Sequence, residues 1–388
     1  MGSRTVYLDC ASTTPLDPRV REVVQHFLDE EYGNSGSRSH EFGLRARRAV
    51  EKARDQVAAV VGAGRGDVVF TSGATESNNL AILGLAEEGR RRGKTHLVST
   101  LIEHPCVLEP LRALGDQGFS LTLVPPNRGG RVDPDAVLSA VRHDTLLLSV
   151  MAANNETGVL QPIAEMAERL AGRDAYFHVD AAQAFGRDLP SLQHERIDLV
   201  SISGHKIHAP KGVGALITRR RNGERPPLTP LMFGGGQERG LRPGTLPVHL
   251  IAGLGLAAEL AGREGAQRAE KCRAFRERLL TALNPLRPTL NGDQDHVLPH
   301  IVNLSLPGLD SEEVMAALAQ EVAISNGSAC SSQALTCSHV LSSMGLSADV
   351  MDGALRWSWS HMTEEPDWAR VVEILQSLPR ETTPARLL

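Results

Sequence analysis

The sequence predicts an α/β protein built on a parallel sheet with helices on both faces. Two observations carry this prediction. Apolar, strand-like runs alternate with helical runs from about residue 44 to 220, as in repeated strand–helix–strand units. Polar, chemistry-bearing residues follow five of those runs, as expected at the carboxyl edge of such a sheet. With 388 residues, 41% of them hydrophobic, the chain is long enough for two domains.

Taken in order, Ala49, Val50, Ala53, Val57, Val60 and Val61 recur at helical spacing. Asp67–Phe70 reads as a strand, and the turn from Thr71 to Asn78 opens a helix that continues through Leu80, Ile82, Leu83 and Leu85. Gly73 permits close backbone approach, free amides at the helix start attract a phosphate, and the Thr75 hydroxyl adds a donor. An ordinary capping motif explains the same residues. His104 follows the strand-like His96–Ser99; it can stack on a ring and shuttle protons, or be structural. Asn155 follows Leu146–Val150, where it can meet a ring oxygen or a carboxylate, or simply form a turn.

Asp180 closes the apolar run Ala175–Asp180, and a buried acid needs a partner. A protonated pyridine nitrogen is one; a helix N-cap role is the other reading. Gln183 stands three residues on, suited to a phenolic oxygen. Asp198–Ser203 is again strand-like and leads through Gly204 and His205 to Lys206. A solvated lysine is the ordinary reading, but an amine at that edge can form a Schiff base, and pyridoxal phosphate is the commonest carbonyl cofactor. Beyond Ile251–Leu260, the charged stretch from Arg263 to Arg273 reads as a linking helix. Strands near His300–Leu306 and Val322–Ser325, with a helix at Ser311–Glu321, form a second domain, and the tail from Pro379 is expected to be disordered.

The 41 basic and 46 acidic side chains leave a net charge of −5, so direct nucleic-acid binding is not expected. The arginine clusters 90–92 and 219–221 read as solvated surface. No apolar run reaches transmembrane length, and no secretory leader is read. Five cysteines without framework spacing suit a reducing cytoplasm, and no zinc-like spacing occurs.

Several segments together resemble the cysteine desulfurase family, the NifS/IscS-like enzymes on the class V aminotransferase fold. They are Tyr7-Leu8-Asp9, Thr13-Thr14-Pro15, Gly33-Asn34, Ser37-Arg38-Ser39-His40, the turn 71–78, Glu103-His104, Asn154-Asn155-Glu156, His178-Val179-Asp180 and Ser203-Gly204-His205-Lys206. Gly234-Gly235-Gly236-Gln237-Glu238, Gly244-Thr245 and Gly327-Ser328-Ala329-Cys330 complete the set in family order. The resemblance implies a fold type I, pyridoxal-phosphate-dependent architecture. Residues 17–262 would form a large domain with a mostly parallel seven-stranded sheet, and 1–16 with 263–388 a smaller α/β domain. It implies Lys206 as the Schiff-base lysine, Asp180 as pyridine partner, Gln183 as donor to the phenolic oxygen and His104 as the stacking acid/base. Gly73, Ala74, Thr75, Ser203 and His205 would hold the phosphate. Thr245 would reach the site of the other subunit in a homodimer. Asn34, Asn155 and Arg356 would bind the substrate.

Cys330 sets the reaction. Its surroundings, Ser325–Ser332, are rich in small polar residues, which favours an exposed, reactive thiol over a buried inert one. The family chemistry converts L-cysteine to L-alanine, with the sulfur passing to Cys330 as a persulfide and then to an acceptor protein. Proton transfers would fall to His104 and Lys206. Cys10, Cys106, Cys272 and Cys337 read as incidental, Cys106 within a packed helix start; Cys337 has a minor alternative as a resolving thiol. Ala152, Pro243 and Ser358-Trp359-Ser360-His361 depart from the usual pattern, the last putting the shape of the substrate entrance in question. These features resemble the DndA-like branch that serves DNA phosphorothioate modification. Iron–sulfur-cluster supply, tRNA thiolation, selenocysteine lyase activity and a catalytically silent scaffold are the alternatives.

Overall fold

The computed structural model describes residues 5–326 and 338–380, so the expectations for Cys330, Cys337 and the extreme tail lie outside the described residues. Twelve strands occur among them: β1 (Val6–Tyr7), β2 (Val68–Thr71), β3 (His96–Thr100), β4 (Ser120–Val124), β5 (Thr145–Met151), β6 (Tyr176–Asp180), β7 (Leu199–Ser203), β8 (Gly214–Thr218), β9 (Thr289–Asn291), β10 (Ile301–Ser305), β11 (Val322–Ala323) and β12 (Ala354–Ser358). Seven of these form one sheet in the order β2-β8-β7-β6-β5-β3-β4. All neighbours run parallel except β8, which is antiparallel to both β2 and β7. Helices cover both faces, so every residue of β5, β6, β7 and β8 is buried and the strands read as continuous apolar runs. β4 at the edge is half-buried, and with β8 it is one of two strands of this sheet that the sequence reading passed over.

The strand order places the ends of β2, β3, β5, β6 and β7 along one edge. The turn after β2 is shaped by a close approach of two backbones. At Gly214 of β8 an added Cβ would sit 2.4 Å from the Ile202 carbonyl and 2.6 Å from the Gly73 Cα. Gly73 itself takes φ 155°, a conformation that side-chain-bearing residues rarely adopt, before the helix Ala74–Leu83 begins. That helix stops at Leu83 rather than running through Leu85, and a new helix starts at Ala86; a Cβ added at Gly84 between them would meet the Leu80 and Thr229 carbonyls.

The charged stretch at 263–273 is helical and runs from the first core to a second. It is the middle of one 36-residue helix, Val248–Leu283. Its first half packs on the helices Pro18–Asp29 and Glu41–Val60. Its second half contributes Cys272, Phe275, Leu279 and Leu283 to a second core with Leu8, Val302, Leu304, Leu355, Trp357 and Trp359. There β9, β10 and β12 form an antiparallel sheet, and β1 pairs in parallel with β11. A helix occupies Ser311–Leu318, slightly shorter than expected. The N-terminal strip therefore belongs spatially with the C-terminal segment. Among the described residues no helix is long and apolar enough to cross a membrane.

One buried ion pair ties the segment before Thr245 to the sheet. Glu238 accepts from Arg54 at 2.7 and 2.8 Å and from the Phe70 amide at 2.7 Å, both side chains being almost fully buried.

Candidate active site

A cavity of about 580 Å³ opens at the sheet edge and is lined by residues from every predicted strand end. Gly73, Ala74, Thr75, His104, Asn155, Asp180, Gln183, Ser203, His205, Lys206 and Arg356 all face it. Such a volume suits a cofactor with a small substrate. Asn34 and Thr245 are not brought there. Both are exposed, and the Asn34 carboxamide is turned back to accept the Gly36 amide at 2.8 Å.

Lys206 lies in a tight turn after β7, where its Nζ donates to the carbonyls of Ala11 and Ser12 at 2.5 and 2.7 Å. The same strip is clamped to the turn by Thr14, whose amide and hydroxyl both reach the His205 carbonyl. Arg187 donates to the Lys206 carbonyl at 2.7 Å. Burial, with Lys206 and Lys211 adding to it, lowers the His205 pKa to about 4. Its neutral ring lies 3.1 Å from the Thr13 hydroxyl.

Asp180 ends β6 and is buried, accepting from Asn78 Nδ2 at 2.8 Å and the Ala182 amide at 2.9 Å. Gln183 donates to the Ala11 carbonyl at 2.9 Å. His104 caps the helix Pro105–Gly115 through its own Nδ1, which accepts the Cys106 amide at 3.1 Å. Burial lowers its pKa, Asp180 opposes that shift and Lys206 reinforces it. The preceding Glu103 is fully buried, which raises its pKa to about 8, and it accepts from the Thr100 hydroxyl and the Met151 amide.

Arg356 on β12 crosses from the second core into the cavity. Its guanidinium donates to Asp9 and Ser12 at 2.7 Å each and to the Asn155 carbonyl at 3.0 Å. Its Nε is buried with no hydrogen-bond partner among the described residues.

The residues present fit a pyridoxal phosphate. The helix Ala74–Leu83 has no side-chain cap on its first turn, so its leading amides face the cavity mouth beside Thr75 and Ser203. A Cβ on Gly73 would fill the space 3.5 Å from the Ser203 hydroxyl. Asp180 supplies a buried carboxylate, and Lys206 an amine, to the same cavity. Among the described residues no group of His, Cys, Asp or Glu side chains is arranged to hold a metal ion.

The segment Ser358–His361 is absent from the lining of the main cavity. Ser358 holds the Ala11 amide through its hydroxyl at 2.8 Å, and Trp359 donates to the Cys272 carbonyl deep in the second core. Trp359, Ser360 and His361 wall a separate cavity of about 50 Å³ shared with Arg187, His208 and His300. Cys106, read as part of a packed helix start, is packed there against the core and in addition lines the main cavity. Sequence reasoning also passed over Ser12, Thr13, Lys211 and Asn78. Asn78 had a signal in the turn motif 71–78; the carbonyls of residues 11 and 12 had none, because they act through the backbone.

The chain matches the family described as aminotransferase class-V over residues 6–367. It is 44% identical over 372 residues to a human cysteine desulfurase, covering 95% of this chain and 80% of that one. It is 42% identical over 374 residues to the cysteine desulfurase IscS of Escherichia coli, covering 96% and 92%. The solved structure of DndA from Streptomyces lividans superposes with a TM-score of 0.80 at 48% identity, over 91% of this chain and 99% of that one.

Proposed function

The chain belongs to the class-V aminotransferase family, and on that footing we propose that it is a pyridoxal-phosphate-dependent cysteine desulfurase. L-cysteine becomes L-alanine, and its sulfur passes to Cys330 as a persulfide. The observation that carries this reading is the meeting of Lys206, Asp180, His104 and Arg356 around one cavity. When bound, the cofactor supplies a carbonyl for amines and an electron sink for the substrate Cα. Lys206, Asp180, Gln183 and His104 would hold its ring, and Gly73, Ala74, Thr75, Ser203 and His205 its phosphate.

The protein's own groups divide the remaining work. Arg356 and the Asn155 side chain orient the substrate carboxylate; the guanidinium is already aligned by Asp9 and Ser12, so little ordering is left to binding. His104, uncharged at neutral pH, accepts or returns a proton at the cavity face. The Cys330 thiolate forms the new S–S bond while the substrate C–S bond breaks. The electron pair stays on Cβ, which takes a proton to become the methyl group of alanine. Enzyme thiol and cysteine thus give enzyme persulfide and alanine with no external oxidant.

The acceptor is a protein of the DNA phosphorothioation system; similarity to DndA at 48% identity supports this branch over iron–sulfur supply, which the IscS similarity favours less strongly. The enzyme acts as a cytoplasmic homodimer. Leu231, Met232 and Phe233 form an exposed apolar run, Phe233 being 86% exposed, in the segment leading to Thr245. A contiguous apolar stretch of that kind suits an interface that would carry Thr245 to a second subunit. Purified protein given L-cysteine and a thiol reductant should release alanine and sulfide in equal amounts. Failure to form alanine, or a visible absorption band that survives Lys206→Ala, contradicts the assignment. Faster turnover of selenocysteine than of cysteine would favour the lyase reading.

A further inference from the structure

The groups that would hold the cofactor's phosphate carry no full charge of their own. Thr75 and Ser203 offer hydroxyls, and Gly73 and Ala74 backbone amides. The His205 ring is kept uncharged by burial, then by Lys206 and Lys211. A phosphate monoester is close to doubly charged at neutral pH, and a helix start balances only about half of one elementary charge. Among the described residues, three cationic side chains line the cavity: Lys206, Lys211 and Arg356. Arg356 is paired with Asp9 at 2.7 Å, and Lys206 is committed to the cofactor's carbonyl. Lys211 remains. It is exposed and forms no ion pair or hydrogen bond among the described residues. It also borders a second hollow of about 450 Å³, where Glu364 shares the wall without pairing with it.

The fold delivers Lys211 to this cradle. Ser203 on β7 pairs with Gly214 on β8, and a Cβ at Gly214 would meet the Gly73 backbone. The turn between those strands is folded back on Gly204, whose carbonyl accepts from the Ile207 and Ala209 amides. The Gly204 amide in turn donates to the Val213 carbonyl at 2.9 Å. Gly212 takes φ 85° within this turn, and Lys211 precedes it. From this placement we infer that Lys211 is a cofactor-binding residue, which supplies the counter-charge of the phosphate from the solvent side. That role rests on the proposed pyridoxal-phosphate site and adds the charge that its uncharged cradle lacks. Because the ammonium is exposed, salt screens it, and its effect is that of a surface cation facing a doubly charged partner. It sets how tightly the phosphate is held and leaves the ring contacts unchanged.

The test titrates cofactor-free protein with pyridoxal phosphate and, separately, with pyridoxal, which has the same ring and aldehyde but no phosphate. Visible absorbance follows both. Lys211→Gln should lower the affinity for pyridoxal phosphate about 3- to 10-fold and leave that for pyridoxal within about twofold. Lys211→Arg should keep the wild-type affinity for both. Lys211→Glu should fall below Lys211→Gln for the phosphorylated form alone. Added sodium chloride should weaken binding of pyridoxal phosphate to wild type more than to Lys211→Gln. In ³¹P spectra of the loaded protein, the phosphate should stay doubly ionised to lower pH in wild type than in Lys211→Gln. Equal losses for pyridoxal phosphate and pyridoxal would mark a general distortion of the site and overturn the inference. Wild-type affinity for pyridoxal phosphate in Lys211→Glu would overturn it too. A raised KM for L-cysteine with cofactor affinity unaltered would assign the charge to the substrate carboxylate, again against the inference. Wild-type protein that develops no visible band with pyridoxal phosphate would contradict the assignment of Lys206 instead.

Discussion

Asp180→Asn changes one oxygen for one nitrogen at the end of β6, and the structure specifies what that costs. Asp180 is buried and receives two hydrogen bonds, from Asn78 Nδ2 and the Ala182 amide. An asparagine can satisfy the Ala182 amide with its oxygen, but its nitrogen then faces the Asn78 nitrogen, donor against donor. Relieving that contact by turning Asn78 over would take the amide hydrogen away from Cys106. The larger loss is electrostatic. A carboxylate pairing with a protonated pyridine nitrogen makes a charge-assisted bond worth about 1.5–3 kcal/mol. A neutral amide forfeits most of that, so cofactor affinity should fall about 10- to 150-fold at about 1.4 kcal/mol per decade. Titrating cofactor-free protein with pyridoxal phosphate, followed by visible absorbance, measures this directly. Turnover at saturating cofactor should fall further still, because an unpaired pyridine nitrogen loses its proton and the ring its electron-withdrawing power. Affinity within twofold of wild type, with unaltered turnover, would refute the assignment of Asp180.

Three further outcomes follow from the same structure. Arg54→Ala should destabilise the protein by about 3–5 kcal/mol in chemical denaturation, because Glu238 is left buried and unpaired. The double variant with Glu238→Ala should cost less than the sum of the single changes, and strict additivity would contradict the pairing. Stability should fall on mild acidification. Burial holds His178 and His208 at about 3 against an ordinary 6.5; the unfolded chain takes up those protons first, so their contribution is complete above about 6.5 and is lost as pH drops toward 3. The pair sets a slope of about 2–3 kcal/mol per pH unit. Glu103, raised to about 8 against 4.5, acts with the opposite sign between those values. Glu103→Gln should therefore steepen the acid loss measured by Tm between about pH 6.5 and 4.5, and a parallel shift of the whole curve would contradict that sign.

Much of this site was legible in the sequence because parallel-sheet topology converts linear order into convergence. Each of the strand ends after β2, β3, β5, β6 and β7 carries one polar group, and the sheet order alone brings Thr75, His104, Asn155, Asp180 and Lys206 together. What stayed hidden depends on contacts between distant segments. Burial on both faces leaves no periodicity in Gly214–Thr218, and the need for glycine at 214 appears only when Gly73 is seen against it. The carbonyls of Ala11 and Ser12 receive Lys206 through backbone atoms that no residue type announces. Ser358–His361 left the shape of the entrance in question because it follows Arg356. On a strand, however, alternate residues face opposite ways, so Arg356 points to the cavity while Trp357 and Trp359 lie in the second core. Cys106 was legible as part of a packed helix start, whereas its place on the cavity wall was not, because that depends on how the helix sits at the sheet edge.

The central claim is that Cys330 receives the sulfur drawn from a cysteine held over Lys206 and Asp180. Mass spectrometry of the Cys330 peptide after a single turnover with ³⁴S-labelled L-cysteine should find one added labelled sulfur on that thiol, matched by one alanine, and none in Cys330→Ser despite retained cofactor absorbance. Label on another cysteine, or alanine produced at the wild-type rate by Cys330→Ser, would contradict it.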